Sequence, residues 1–227
     1  MKMNFYMPTK VIMETDCVIN YSEVFSQLGS KAMLVTGKSS AKKNGAQDDV
    51  LAALKAQNMD YVIYDKVMSN PTIQCVYEGA EFAKANGVDL IIAIGGGSPM
   101  DAAKAISLLA AQDIKEENLF SGNYGSKIIP MVHIPTTAGT GSEVTPYSIL
   151  TNDKKQTKTS IGVPILFPAV ALCDPKYMKS LSKVTTISTA IDALSHCVEG
   201  MLSIKASAVT NTLAVEGIKK FAAAMKR

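Results

Sequence analysis

Residues 90–94, Leu-Ile-Ile-Ala-Ile, form an uninterrupted apolar run that leads directly into three glycines and then into a helical pattern. A strand that is apolar along its whole length is typical of a parallel sheet, because helices cover both faces of such a sheet. Comparable β-rich runs alternate with helical patterns from Lys31 onward, at 32–36, 61–64, 128–134 and 169–173. This alternation predicts an α/β fold built on a doubly wound parallel sheet.

The pattern changes at Val184, where strand-like runs stop and alanine-rich amphipathic segments continue to Arg227. Such segments favour helices. We therefore predict an α/β domain over residues 1–180 and the beginning of an all-helical domain over residues 181–227. Residues 221–227 contain no helix C-cap and no polar tail, so we expect the helical domain to be truncated in this chain.

The amino-acid composition of the chain indicates which kinds of molecule it is expected to bind. Of the 227 residues, 47% are hydrophobic and 19% are charged, which suits a chain with a large core. The 23 basic and 20 acidic residues are dispersed, so the net charge of +3 does not indicate a nucleic-acid-binding surface. The sequence has no signal-peptide pattern, no membrane-spanning apolar run and no CxxC pair among its four cysteines. We expect a cytoplasmic globular protein with reduced cysteines and a small-molecule partner, and no nucleic-acid or membrane partner.

The glycine loop, residues 95–101, has the sequence Gly-Gly-Gly-Ser-Pro-Met-Asp and precedes a helix predicted from Pro99 to about Ala111. Glycines let the backbone approach a ligand, and proline suits the first turn of a helix. Free N–H groups and the positive end of the helix dipole then favour a phosphate or diphosphate. The loop matches neither Walker A nor GxGxxG. We interpret it as a dinucleotide-binding loop; the alternative is a tight turn in which Asp101 only stabilises the start of the helix.

The basic loop, residues 37–45, follows another predicted strand. Open α/β sheets bind ligands beyond the carboxyl ends of their strands. The candidate cofactor contacts in this loop are Gly37, Lys38, Ser39 and Ser40. The loop offers hydroxyls and three lysines in place of an acid that would bind an adenosine ribose, which favours NADP over NAD. The alternative is that Lys42 and Lys43 are the solvated start of a helix, which leaves NAD open.

The hydroxyl loop, residues 134–144, is rich in threonine and glycine and also follows a predicted buried strand. Thr136, Thr137 and Thr140 are candidates for binding a nicotinamide ribose, a diphosphate or a substrate hydroxyl. The alternative is that these hydroxyls only form local turn hydrogen bonds. Two such loops at one edge of a sheet favour the ligand-binding interpretation.

Asp192 and His196 are four residues apart in a predicted helix, so their side chains lie on one helical face. A carboxylate and an imidazole in this arrangement can bind one metal ion. The alternative is a neutral histidine capped by an intrahelical aspartate.

Four segments taken together resemble the iron-containing (group III) alcohol dehydrogenases, which include butanol and propanediol dehydrogenases. The matching segments are 95–101, 135–143, 174–175 and 192–200, and they occur in the family's order. The resemblance implies a dinucleotide-binding α/β domain followed by an all-helical domain, with NAD(P) and a divalent metal, iron or alternatively zinc, in the cleft between them.

The resemblance also implies roles for individual residues. Contacts to the pyrophosphate and the nicotinamide side of the cofactor fall to Gly96, Gly97, Ser98 and Asp101. The residues along the ribose and nicotinamide are Thr136, Thr137, Thr140 and Lys158. Gly37 occupies the position where NAD-using relatives have an acid, which agrees with NADP.

Asp192 and His196 match the family's first two metal ligands, and the family takes two further histidines from later in its helical domain. The only other histidine of this chain is His133, which precedes the hydroxyl loop and is a poor candidate for a ligand. The chain therefore carries half of the expected coordination shell, and no residue is identified as the catalytic acid or base.

The implied function is hydride transfer between NAD(P) and a small primary alcohol or aldehyde, in a homo-oligomer such as a dimer. Two alternatives remain. One is that the 227-residue chain is a truncated nucleotide-binding module without turnover. The other is a lyase similar to dehydroquinate synthase, which the hydroxyl loop and the Asp/His helix match less well.

Overall fold

A parallel sheet of six strands forms the centre of the protein in the computed structural model, which describes residues 4–225. The order of the strands is β1-β8-β5-β4-β2-β3, and a separate antiparallel hairpin pairs β6 with β7. The strands are β1 (Lys10–Ile12), β2 (Lys31–Gly37), β3 (Asp60–Val67), β4 (Leu90–Gly95), β5 (Met131–Pro135), β6 (Tyr147–Asn152), β7 (Thr157–Gly162) and β8 (Val170–Leu172). The predicted α/β fold with a parallel sheet is confirmed.

Helices cover both faces of the sheet. The α-helices over residues 4–225 are α1 (Cys17–Asn20), α2 (Glu23–Leu28), α3 (Ser40–Lys43), α4 (Ala46–Ala56), α5 (Ile73–Ala85), α6 (Gly97–Ala111), α7 (Lys183–Leu202) and α8 (Ala208–Ala224); neither core cluster of the sheet includes a residue of α7 or α8. On β4, Ile91 and Ala93 pack with α5 and α6, whereas Ile92 and Ile94 pack with the helices of the opposite face, α1, α2 and α4. This burial of successive residues on both faces explains why the strand is apolar throughout.

The last two helices differ from the rest in burial. No residue of α7 is buried, and Ala214 is the buried residue of α8. Several large apolar side chains of α7 are exposed, including Val184, Ile187 and Ile191. The strands end at Leu172 and α7 begins at Lys183. The predicted division into an α/β domain (1–180) and the start of a helical domain (181–227) stays a prediction. Among the helices of residues 4–225, none combines the length and apolarity needed to span a membrane.

An ionic cluster around the Asp174 side chain joins the end of β8 to helices α1 and α4. The Asp174 side chain is fully buried and accepts hydrogen bonds from the backbone N–H groups of Asp16 (2.7 Å) and Lys176 (2.9 Å). The ammonium group of Lys176 lies 3.6 Å from Asp174 Oδ2 and also pairs with Asp16 and Asp49. One lysine therefore links three carboxylates from distant parts of the chain.

Candidate cofactor and metal site

Loops that follow neighbouring strands meet at the carboxyl edge of the sheet. β4 and β5 are paired up to Gly95 and Pro135, and the N–H of Thr136 donates to the carbonyl of Gly95 at 2.8 Å. The glycine loop and the hydroxyl loop consequently start side by side. This is the edge at which open α/β sheets bind ligands.

The glycine loop is closely fitted against the hydroxyl loop. A Cβ at Gly96 would lie 3.1 Å from Thr137 Oγ1, and one at Gly97 would lie 3.0 Å from Thr140 Cγ2. The predicted helix begins at Gly97, two residues earlier than expected, and no side chain caps its start. The absence of side chains at Gly96 and Gly97 lets Thr137 and Thr140 pack closely against the start of α6. Because no side chain caps this start, its N–H groups could donate to an anionic ligand.

A cavity of about 790 Å³ opens between these loops, the hairpin and α7. Seven of the predicted site residues line it: Gly97, Ser98, Asp101, Thr140, Lys158, Asp192 and His196. Gly96, Thr136 and Thr137 lie in the same two loops but do not line the cavity, and Thr136 is buried. The structure thus brings together residues from four separate segments of the sequence.

Asn70 also lines the cavity, and the sequence analysis missed it. Its backbone φ of +58° is in the left-handed region, its N–H donates to Ser98 Oγ (3.2 Å), and its Oδ1 accepts from Lys158 Nζ (2.8 Å). The available signal was the Asn70-Pro71 dipeptide, a turn marker that begins three residues after the end of β3 at Val67. Asn70 therefore connects the glycine loop to the hairpin that carries Lys158.

The basic loop lies beyond this cavity. Lys38, Ser39 and Ser40 are exposed after β2, and none of them or Gly37 lines the cavity. Lys42 pairs with Asp65 of β3 at 3.2 Å. Lys42 and Lys43 are the last two residues of the short helix α3 and not the start of a helix, and Lys42 is already engaged by a carboxylate.

Asp101 lines the cavity with only 14% of its side chain exposed. Its Oδ1 accepts a hydrogen bond from Ser142 Oγ at 2.6 Å, and its Oδ2 accepts one from the N–H of Ile149 at 3.3 Å. Burial raises the pKa of this carboxyl, although the Ser142 hydrogen bond and the charge of Lys104 act in the opposite direction.

Asp192 and His196 lie on one face of α7, as predicted from their spacing, and both line the cavity. Asp192 Oδ1 is 3.8 Å from His196 Nε2, and each side chain is about half exposed. A carboxylate oxygen and an imidazole nitrogen suit divalent iron and zinc alike, so the pair fits two positions of a coordination shell. Over residues 4–225, no group of three or more His, Cys, Asp or Glu side chains is placed to hold a metal ion.

His133 is fully buried in β5, and neither ring nitrogen has a hydrogen-bond partner among the described residues. Burial, reinforced by the charge of Lys104, holds its pKa well below the ordinary value. His133 does not line the cavity, in agreement with its interpretation as a poor candidate for a metal ligand.

The comparisons with known proteins decide the family. The family model described as iron-containing alcohol dehydrogenase matches residues 8–175. The chain belongs to the iron-containing alcohol dehydrogenases. One curated member, the long-chain primary alcohol dehydrogenase of Thermoanaerobacter ethanolicus, is 37% identical over 87% of this chain and 50% of its own length. The 1,3-propanediol dehydrogenase of Citrobacter freundii is 37% identical over 86% of this chain and 51% of its own length.

Solved iron-containing alcohol dehydrogenases share the fold. The crystal structure of one from Thermotoga maritima is 42% identical with a TM-score of 0.92, over 97% of this chain and 61% of that one. The NADH-dependent butanol dehydrogenase A of the same organism is 30% identical with a TM-score of 0.86, over 94% of this chain and 54% of that one. The chain spans about half the length of the curated relatives it matches.

Proposed function

We propose that the protein is a metal-dependent alcohol dehydrogenase that transfers hydride between NADP and a small primary alcohol, and that it reduces the corresponding aldehyde. The observation that carries this proposal is a single cavity lined by the glycine loop, the hydroxyl loop and the Asp192/His196 pair. Relatives named as alcohol dehydrogenases and as a lactaldehyde reductase support the reaction class. NAD remains the alternative cofactor, and zinc the alternative to iron.

In this proposal the start of α6, with Gly96, Gly97 and Ser98, binds the diphosphate through backbone N–H groups. Thr140 and Lys158, which line the cavity, lie along the ribose and nicotinamide with Asp101 beside them. Thr136 and Thr137 hold the hydroxyl loop against the glycine loop. The loops are fixed at the edge of the six-stranded sheet and Lys158 is fixed in the hairpin, so these groups are positioned to orient the cofactor before any chemistry takes place. Asn70 keeps Lys158 directed towards the same cavity.

Asp192 and His196 would hold the metal at the side of the cavity formed by α7. When bound, a divalent metal polarises the alcohol or aldehyde oxygen and the nicotinamide exchanges the hydride. The half-exposed side chains of this pair leave the metal accessible to substrate. The protein's own contribution is therefore position and charge, and no residue of the chain is assigned as general base.

We further propose a cytoplasmic homo-oligomer. The thiols of Cys17, Cys75 and Cys173 are buried and free, as suits a reducing compartment. The edge strand β1 leaves Val11 exposed, with Met13 directly after it, which offers an apolar surface to a second copy, and light scattering of the purified chain tests this.

The alternative function is a nucleotide-binding module without turnover. The two are separated by following oxidation of NADPH by the purified chain with butanal and added Fe²⁺ or Zn²⁺. Metal-dependent turnover that His196→Ala abolishes would support the dehydrogenase. Tight NADPH binding without turnover under every condition would support the module instead.

The preference for NADP gives a substitution test at Gly37. Its φ lies outside the left-handed region and a Cβ there would lie 3.4 Å from the nearest atom, Val67 O, so a side chain fits. We expect Gly37→Asp to shift the ratio of NADPH to NADH affinity towards NADH by roughly tenfold or more, because a carboxylate repels the 2′-phosphate and accepts from the ribose 2′-OH. The measurement is the Kd of each cofactor by nicotinamide fluorescence. Gly200→Asp, at an open position of α7, is the control, and an unchanged ratio in Gly37→Asp would contradict the assignment.

A further inference from the structure

Lys104, in the middle of α6, carries an ammonium group that is wholly buried. A buried charge is unfavourable unless hydrogen bonds and opposite charges replace water. Its Nζ donates to Ser142 Oγ and to the carbonyl of Tyr147, both at 2.8 Å, and lies 3.9 Å from Asp101 Oδ1. Lys104 does not line the cavity, whereas Asp101, Ser142 and Tyr147 all do.

The direction of these hydrogen bonds is fixed by chemistry. An ammonium group only donates, so Ser142 Oγ accepts from Lys104 and must direct its own hydrogen elsewhere. That hydrogen goes to Asp101 Oδ1 at 2.6 Å. The protonated lysine therefore orients the serine hydroxyl and ties together α6, the end of the hydroxyl loop and strand β6.

The charge of Lys104 also bears on an anionic ligand. The Asp101 carboxylate faces the cavity and would repel a diphosphate unless a nearby cation offsets it. The titratable groups around the ammonium are Asp101 from α6, Glu143 from the hydroxyl loop, and His133 from β5. Burial lowers the pKa of Lys104 to about 8, against the opposing effect of Asp101 and Glu143. Burial keeps His133 neutral.

We propose that Lys104 is a positioning residue for the cofactor: its protonated form holds Ser142 and Asp101 in the arrangement that binds the dinucleotide, and loss of its proton weakens that binding. The proposal rests on the proposed function in that the ligand is NADP. It assigns a role to a side chain that touches neither cofactor nor substrate.

The test is the Kd for NADPH of the wild-type chain between about pH 6.5 and about pH 9.5. If only the chain with a protonated Lys104 binds NADPH well, the Kd is constant below about pH 8 and rises roughly tenfold for each pH unit above it. Calorimetry at about pH 8.5 in buffers of different ionisation enthalpy should show proton uptake on binding, because the cofactor favours protonated Lys104.

Two variants isolate the lysine. Lys104→Met keeps the length of the side chain but removes its charge and its hydrogen-bond donors. We expect its Kd for NADPH at pH 7 to be about tenfold higher or more, as for the loss of a single charge-assisted interaction. Its Kd should not depend on pH, and binding should take up no proton. Ser142→Ala removes only a hydroxyl group, so this variant should fold even if Lys104→Met does not. We expect its Kd for NADPH to depend less on pH than that of the wild-type chain. Lys154→Met, an exposed lysine paired with Glu116, is the control and should keep the wild-type profile.

The pH dependence of the free energy of unfolding distinguishes a role in cofactor binding from a purely structural role. The unfolded chain holds the Lys104 proton more tightly than the folded chain, so this group's contribution to stability increases as the pH rises from about 8 to about 10. Cofactor binding should weaken over the same range, in the opposite direction. A pH-independent wild-type Kd, or a wild-type profile in Lys104→Met or in Ser142→Ala, would overturn the role of Lys104 alone. Absence of NADPH binding by the wild-type chain at every pH would overturn the proposed function, and this role with it.

Discussion

Substitution of Gly96 by valine is expected to lower the affinity of the chain for NADPH by about 100-fold or more. A Cβ at this position would already lie 3.1 Å from Thr137 Oγ1, so the two γ-methyl groups would push the hydroxyl loop away and displace the backbone N–H groups proposed to bind the diphosphate. Two charge-assisted hydrogen bonds of roughly 1.5–3 kcal/mol each are then lost, and about 1.4 kcal/mol corresponds to a factor of ten. The measurement is a titration followed by nicotinamide fluorescence.

Gly200→Val provides the matched control. Gly200 lies in α7, and a Cβ there would meet no atom within 4 Å. This variant should bind NADPH as the wild-type chain does. The urea-unfolding midpoint of both variants separates a local effect from unfolding. An affinity of folded Gly96→Val within about twofold of wild type would contradict the diphosphate assignment.

Asp174→Ala is expected to lower the free energy of unfolding by about 3 kcal/mol, because Asp174 is a fully buried carboxylate that accepts two backbone hydrogen bonds and pairs with an ammonium group. The backbone N–H groups of Asp16 and Lys176 lose their acceptor, and the Lys176 ammonium loses one of its three carboxylates. The measurement is equilibrium unfolding in urea, with the same m-value used for the variant and the wild-type chain.

Lys154→Ala is the control for this prediction. Lys154 pairs with Glu116 at 2.9 Å, but its side chain is 79% exposed. Exposed ion pairs contribute about 0–1 kcal/mol, so this variant should unfold close to wild type. A loss below about 1 kcal/mol in Asp174→Ala would show that water replaces the carboxylate at little cost.

The centre of the sheet could be predicted from the sequence, because β4 is buried on both faces and its apolar run records that burial. The edge could not. Strand β1 has three residues, and the first two are exposed, so it shows neither an apolar run nor alternation. Its pairing with β8 joins positions about 160 residues apart, and local patterns carry no information about such contacts.

The site was predictable where function depends on residues that directly follow strands. The glycine and hydroxyl loops could be placed together because parallel strands end at one edge of the sheet. Lys104 could not be recognised, because a lysine in a helix is ordinarily exposed and its partners Ser142 and Tyr147 lie 38 and 43 residues further along the chain. The pairing of Lys42 with Asp65 was hidden for the same reason.

Titration of NADPH and NADH into the purified wild-type chain tests the central claim most directly, since the proposed cofactor site consists of the glycine and hydroxyl loops and does not depend on a complete metal site. We predict saturable binding of one cofactor per chain, tighter for NADPH than for NADH. If neither cofactor binds at concentrations up to about 1 mM, the claim is contradicted. A Kd of about 1 mM corresponds to a binding free energy of only about −4 kcal/mol.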